Sequence, residues 1–361
     1  MSARRIGAWM LAIVALVALG VFAVRAARRD DSGRASSGTG IRLAVLGDSD
    51  SHSYRDRVNG VSRGGAYHAT TYQWTEVLDR LRSRYIDQGG FGEWGSRGIV
   101  ARARAALGLE AKTPRKEDFR WNYAWSGARC ASLVSEWPQQ TRWLVSALEA
   151  EPDAWADGVV VLKIGVNDIG QRRHLDAYAA SGAGAPERAI IAACARETAS
   201  ALDMIRAASA TVRVLVVGVA DDSSWPAATT PPRSAEEIAR VREVLDAFDD
   251  ALRATISGRE HVAFMDDRSW YYDHWADRDA EGSAQTSGVR LGGSTAVTNT
   301  QGDSPVNLML ADGHAGTVAN GFWARELVRA LAREFDVQVP ELSDAEIAAL
   351  ADPRGDLGIA P

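Results

Sequence analysis

Cysteine is scarce, with only Cys130 and Cys194 in 361 residues. Two cannot build a disulfide scaffold, and they do not have the spacing of a zinc site. Their positions leave open whether they pair or lie apart as small buried side chains. Histidine is nearly as rare, at six. No cluster of His, Asp and Glu has convincing metal spacing, so the sequence predicts neither a catalytic metal nor a cofactor. A basic stripe with interleaved aromatics is also missing. The 41 Lys and Arg are scattered among 47 Asp and Glu, for a net charge of −6, which argues against nucleic acid as the main partner. No internal repeat is apparent.

What is present is the composition of an ordinary globular protein, 46% hydrophobic and 24% charged, and long enough to bury a substantial core. Arg4 and Arg5 precede an apolar run from Ile6 to Val24, closed by Arg25, Arg28 and Arg29. About 19 residues just span a bilayer and exceed the usual core of a cleaved signal peptide. The expectation is an uncleaved membrane anchor, with cleavage near Val24-Arg25-Ala26 as the alternative and a buried core helix as a third. The polar, Gly- and Ser-rich stretch that follows reads as a tether. Residues 1–40 are therefore taken as targeting segment and tether, 41–337 as the main domain, and 338–361 as a tail with one short helix on the surface. The domain is placed outside the cytoplasm.

Within the domain, short β-branched runs alternate with long amphipathic stretches. Strands are expected at 41–46, 119–125, 158–164, 211–219 and 261–265, and helices at 71–85, 135–148, 186–208, 234–258 and 317–335. Ser234 with Glu237, and Ser343 with Glu346, form capping boxes. This alternation predicts a parallel sheet covered on both faces. Two stretches break it: a Gly- and Arg-rich loop at 52–70, and an insertion at about 267–310 with Trp270, Tyr271, Tyr272, His274 and Trp275 followed by a Gly-rich run that reads as a hairpin.

Three turns of small and polar residues each follow a strand: Gly47-Asp48-Ser49, Ser126-Gly127-Ala128 and Gly165-Val166-Asn167-Asp168. In an open parallel sheet the carboxyl ends of strands gather at one edge, where ligands bind. Those turns supply a serine hydroxyl, the N–H groups of Ser49 and Gly127, and the amide of Asn167, the donor set an oxyanion needs. His314, with Asp312 two residues upstream, is the best-placed base. Ser51 is a weaker candidate nucleophile. His52 and His68 lie in the loop near the site, where they read chiefly as surface residues with substrate contact as the alternative, while His274 belongs either to a substrate lid or to the packing of the insertion.

Together, Gly47-Asp48-Ser49, Gly127, Gly165-x-Asn167-Asp168 and Asp312-x-His314 resemble the four blocks of the SGNH/GDSL hydrolases. The resemblance spans about residues 41–335. It implies a three-layer α/β/α sandwich with a flavodoxin-like sheet, Ser49 as nucleophile, Gly127 and Asn167 as oxyanion donors, and Asp312 and His314 as the rest of a triad. Two departures stand out. Asp50 follows the serine where the family has an aliphatic residue, and one residue rather than two separates Asp312 from His314. A backbone carbonyl, Asp266 or Asp267 are alternatives for orienting the ring. The reading is an extracytoplasmic serine esterase acting through an acyl-enzyme on a small-molecule or glycan ester, with O-acetyl sugar esters in view. Its rivals are an O-acyltransferase with the same triad and a catalytically silent carbohydrate-binding protein.

Overall fold

The computed structural model describes residues 40–96, 100, 113–221, 223, 233–279 and 284–361. The apolar run at 6–24 and the tether lie outside them. Among the described residues no helix is long and apolar enough to cross a membrane.

Five parallel strands form the central sheet: β1 (Ile41–Gly47), β2 (Ile86–Asp87), then β5 (Val159–Lys163), β6 (Arg213–Val217) and β7 (Val262–Met265), after a separate ribbon of β3 (Phe91–Trp94) and β4 (Lys116–Phe119). Their order across the sheet is β2-β1-β5-β6-β7, the flavodoxin-like arrangement, which reverses direction beside β1. Alternation along the strands sorts the core into two layers. Leu43, Val45, Val159, Val161, Leu215 and Val217 point to one face, where α1 (Trp74–Arg82) and α8 (Thr317–Phe335) pack. Ala44, Leu46, Val160, Leu162, Val214 and Val216 point to the other. There they meet α2 (Gln140–Ala150), α5 (Ala185–Ala208) and α6 (Ala235–Ile256); the one-turn α3 (Pro152–Trp155) and the longer α4 (Arg172–Ser181) lie between α2 and α5 in the chain. The protein is thus a three-layer α/β/α sandwich. Every residue of β5 is buried, as expected of a central strand covered on both faces.

Three sequence expectations need correction. The strand expected at 119–125 is not one element. Lys116–Phe119 pairs antiparallel with Phe91–Trp94, after which the chain crosses to run beside β1. There it makes one parallel bridge, Val45 to Asn122, with Tyr123 N–H donating to the Val45 carbonyl at 2.8 Å and Trp125 N–H to that of Gly47 at 3.0 Å. It takes over from the two-residue β2 along the upper part of β1. The insertion holds more than a hairpin: α7 (Ser269–Trp275) precedes β8 (Gly288–Val289), β9 (Val297–Gln301) and β10 (Asn307–Met309), and β9 pairs antiparallel with β8 but parallel with β10. Finally, the tail is no surface appendage. Its helix α9 (Asp344–Ala351), capped by Ser343 and Glu346, buries Ile347, Ala348 and Ala351 against the α8 layer.

Candidate active site

Ser49 sits in the turn that ends β1, partly exposed. Gln140, fully buried on α2, fixes that turn. Its amide oxygen accepts the Gly47 N–H and its Nε2 donates to the Gly47 carbonyl, both at 2.7 Å. Asp48 is buried beneath the serine, and its Oδ1 accepts the Asp50 N–H at 3.0 Å. Burial, reinforced by the charge of Asp50, pushes the Asp48 carboxyl well above the usual range. Ser51 is wholly buried and accepts a hydrogen bond from Trp74 Nε1 at 3.3 Å, so it packs against α1 and is not presented to a substrate.

The other two turns are tied to this one in sequence order. Trp125 N–H donates to the Gly47 carbonyl. Asn167 Nδ2 donates to the Ala128 carbonyl at 2.8 Å, and Cys130 N–H donates to Asp168 Oδ2 at 3.0 Å. A disulfide from Cys130 to Cys194 pins the second turn to α5. Two glycines are required by this geometry. Gly127 has φ +80°, and Gly165 has φ +130° with Phe248 only 2.5 Å from where a Cβ would stand, so any side chain at 165 would force the third turn outward. Gln171 Nε2 donates to Asn167 Oδ1 at 2.8 Å and fixes the orientation of that amide. One Asn167 N–H remains, and the backbone N–H groups of Ser49 and Gly127 make no hydrogen bond among the described residues.

His314 lies on the turn between β10 and α8, where it is held from several sides. Its Nδ1 is 3.1 Å from Asp312 Oδ1, so the single intervening residue, Gly313 at φ +87°, still brings carboxylate and ring together. Half-burial pushes the Asp312 carboxyl up. The hydrogen bond and charge of His314 and the charge of Arg63 outweigh this and hold it well below the usual range. Arg63 reaches both Asp312 and, at 2.9 Å, His314 Nδ1. Tyr54 donates its hydroxyl to the Ala315 carbonyl at 3.0 Å and presents its ring edge-on to the imidazole. Asp266 and Asp267 are engaged elsewhere: Asp266 accepts the Arg268 N–H, and Asp267 pairs with Lys163 and Trp323. Neither orients His314. No hydrogen bond joins the Ser49 hydroxyl to His314 among the described residues; such bonds often tighten only when substrate is bound.

A model of the GDSL-like Lipase/Acylhydrolase family matches residues 45–288, about two thirds of the chain. The chain belongs to that family. It is accordingly an ester-hydrolysing enzyme, and Asp312 and His314 lie beyond the matched stretch. No curated protein matches the chain. Similar solved structures include an extracellular lipase from Streptomyces rimosus, at 14% identity and TM-score 0.37 over 65% of this chain and 83% of that one. A family 3 carbohydrate esterase from Clostridium thermocellum shows 14% identity and TM-score 0.35 over 81% and 96%. These likenesses are too remote to carry an argument about substrate.

Sequence reasoning missed two residues that contact the candidate site of this hydrolase. Arg63 comes from the Gly- and Arg-rich loop, with no motif to mark it. His52, read as a surface residue, is 2% exposed. Its Nδ1 lies 2.9 Å from Ser126 Oγ and its Nε2 2.9 Å from Asp56 Oδ2. By contrast His68, whose Nδ1 donates to the Arg63 carbonyl, stays partly exposed, and His274 packs edge-on against Trp275 in the insertion and Phe322 of α8. Among the described residues one group, Cys130, Asp168 and Cys194, has its ligand atoms close enough for a metal ion. Its two sulfurs are joined to each other.

Proposed function

We propose that Ser49 is the nucleophile of an ester hydrolysis that runs through an acyl-enzyme. His314 acts as base and then as acid, and Asp312 orients it. The N–H groups of Ser49 and Gly127 and the second N–H of Asn167 bind the oxyanion. The observation that carries this reading is the cross-bonding of the three turns, Trp125 to Gly47 and Asn167 to Ala128. It ties three distant stretches of chain together while the N–H groups of Ser49 and Gly127 and one N–H of Asn167 keep no partner among the described residues. With Nδ1 donating to Asp312, Nε2 keeps the lone pair that accepts the serine proton.

For substrate, the proposal is an ester of a sugar or other ring alcohol, an O-acetyl glycan among them. A groove of about 310 Å³ beside the Gly127 turn supports this, lined by Trp125, Trp137, Asn59 and Arg115, with Trp137 57% exposed. An indole face can stack on a ring while the polar walls bind hydroxyls. The proposed location is outside the cytoplasm, with residues 6–24 as the anchor, and it rests on the sequence of that run. An ester panel on wild type, Ser49→Ala and His314→Ala tests the mechanism. Either change is expected to lower kcat by several orders of magnitude with the fold intact. Wild-type turnover by Ser49→Ala would refute it, and product analysis with a sugar acceptor separates hydrolysis from transfer.

A further inference from the structure

Apart from Ser49, His314 and Asp312, the hydrolase holds a serine, a histidine and a carboxylate in hydrogen-bond register. Ser126 Oγ, His52 and Asp56 form an unbroken chain of 2.9 Å contacts. The carboxylate end is built to stay ionised. Asp56 also accepts from Asn59 Nδ2 at 2.6 Å and from the Glu117 N–H at 2.9 Å. Burial pushes its carboxyl up, but these bonds and that of His52 bring it below the usual range. An ionised Asp56 requires Nε2 of His52 to carry the proton, so Nδ1 is the lone-pair nitrogen. That nitrogen faces the Ser126 hydroxyl and also accepts the Ser126 backbone N–H at 3.3 Å. Burial and the charge of Lys116 lower the ring's pKa, keeping it in its neutral, proton-accepting form. Trp125 stacks on the ring at 5.3 Å between centroids and fixes its plane.

Two further facts bear on access. Ser126 and Gly127 are not buried. The groove of about 310 Å³ is walled in part by Trp125 and Asn59, which touch His52 and Asp56 respectively. We propose that Ser126 is a second nucleophile, activated by His52 and Asp56, that takes acyl groups from esters whose ring alcohol lies in this groove. In the first step Ser126 Oγ bonds to the acyl carbon and its proton passes to His52 Nδ1. The bond from that carbon to the alcohol oxygen breaks, and the alcohol leaves with the proton. Water then attacks by the same route, releasing the acid and restoring the hydroxyl.

The test is labelling with a small fluorophosphonate, followed by peptide mapping of the full-length protein. In Ser49→Ala, with its circular dichroism unchanged, the adduct is expected on Ser126. Adding Ser126→Ala or His52→Asn should abolish both the adduct and the residual ester turnover. An unlabelled, folded Ser49→Ala protein overturns the proposal. Should that variant fail to fold, wild type treated with excess probe is mapped instead: an adduct on Ser126 supports the proposal, and Ser49 as the sole site overturns it. Label on Ser49 alone leaves the reading of Ser49 and His314 intact, whereas label on Ser126 alone in wild type removes that reading and keeps this one.

Discussion

At His314 two neighbours compete for one ring nitrogen. Nδ1 lies 3.1 Å from a carboxylate oxygen of Asp312 and 2.9 Å from Nη1 of Arg63. If Nδ1 donates to Asp312, Nε2 is free to act as base; if it accepts from Arg63, Nε2 carries the proton and cannot. The proposed mechanism requires the first arrangement, with Nδ1 donating to Asp312. Asp312→Asn should therefore lower kcat by about 10²–10⁴ with little change in KM, read by steady-state kinetics. An unchanged kcat would remove Asp312 from the mechanism. The contact of Asp312 with His314 was legible because the two stand two residues apart. Arg63 was not, because 249 residues separate it from Asp312, and no local pattern announces a pairing made only by the fold. His52 was hidden in the same way, its partner Ser126 lying 74 residues on.

Two elements place the site and make separable predictions. The N-cap of α1 joins Gln73 and Glu76, whose carboxylate also accepts from Ser53 Oγ at 2.7 Å. Burial pushes Glu76 up to about 7 from an ordinary 4.5. The folded state thus holds a proton that the unfolded state has released, and stability falls as pH rises through that window. Glu76→Gln should flatten this slope in urea titrations between those pH values; an unaltered slope would clear Glu76. The second element is the bridge between the Gly127 turn and α5. Reducing it should cost about 2–4 kcal/mol in denaturant unfolding and, on the proposed mechanism, slow ester turnover as the Gly127 turn loosens. Equal midpoints with and without reductant would show the bridge to be idle. Periodicity made α8 readable to the residue, since one face is apolar throughout. It missed α4, which buries only Leu175, Tyr178 and Ala179, too few to raise a pattern.

Across the whole molecule the two apolar layers were visible in the strands, because buried parallel strands are apolar on both sides. The place of the tail was not, because its short apolar run looks the same on a surface or in a core. Ile347 is fully buried, against Gly321 of α8. Ile347→Ala should cost about 2–5 kcal/mol; a urea midpoint equal to wild type would mean the tail helix docks elsewhere. The covalent tie between Cys130 and Cys194 has a consequence beyond stability. In a cytosol buffered by glutathione the two thiols would stay separate, and the purified enzyme would carry a slack Gly127 turn. A host that exports the chain would return the bridged form, so reductant in the storage buffer becomes a variable of every rate measured on this enzyme.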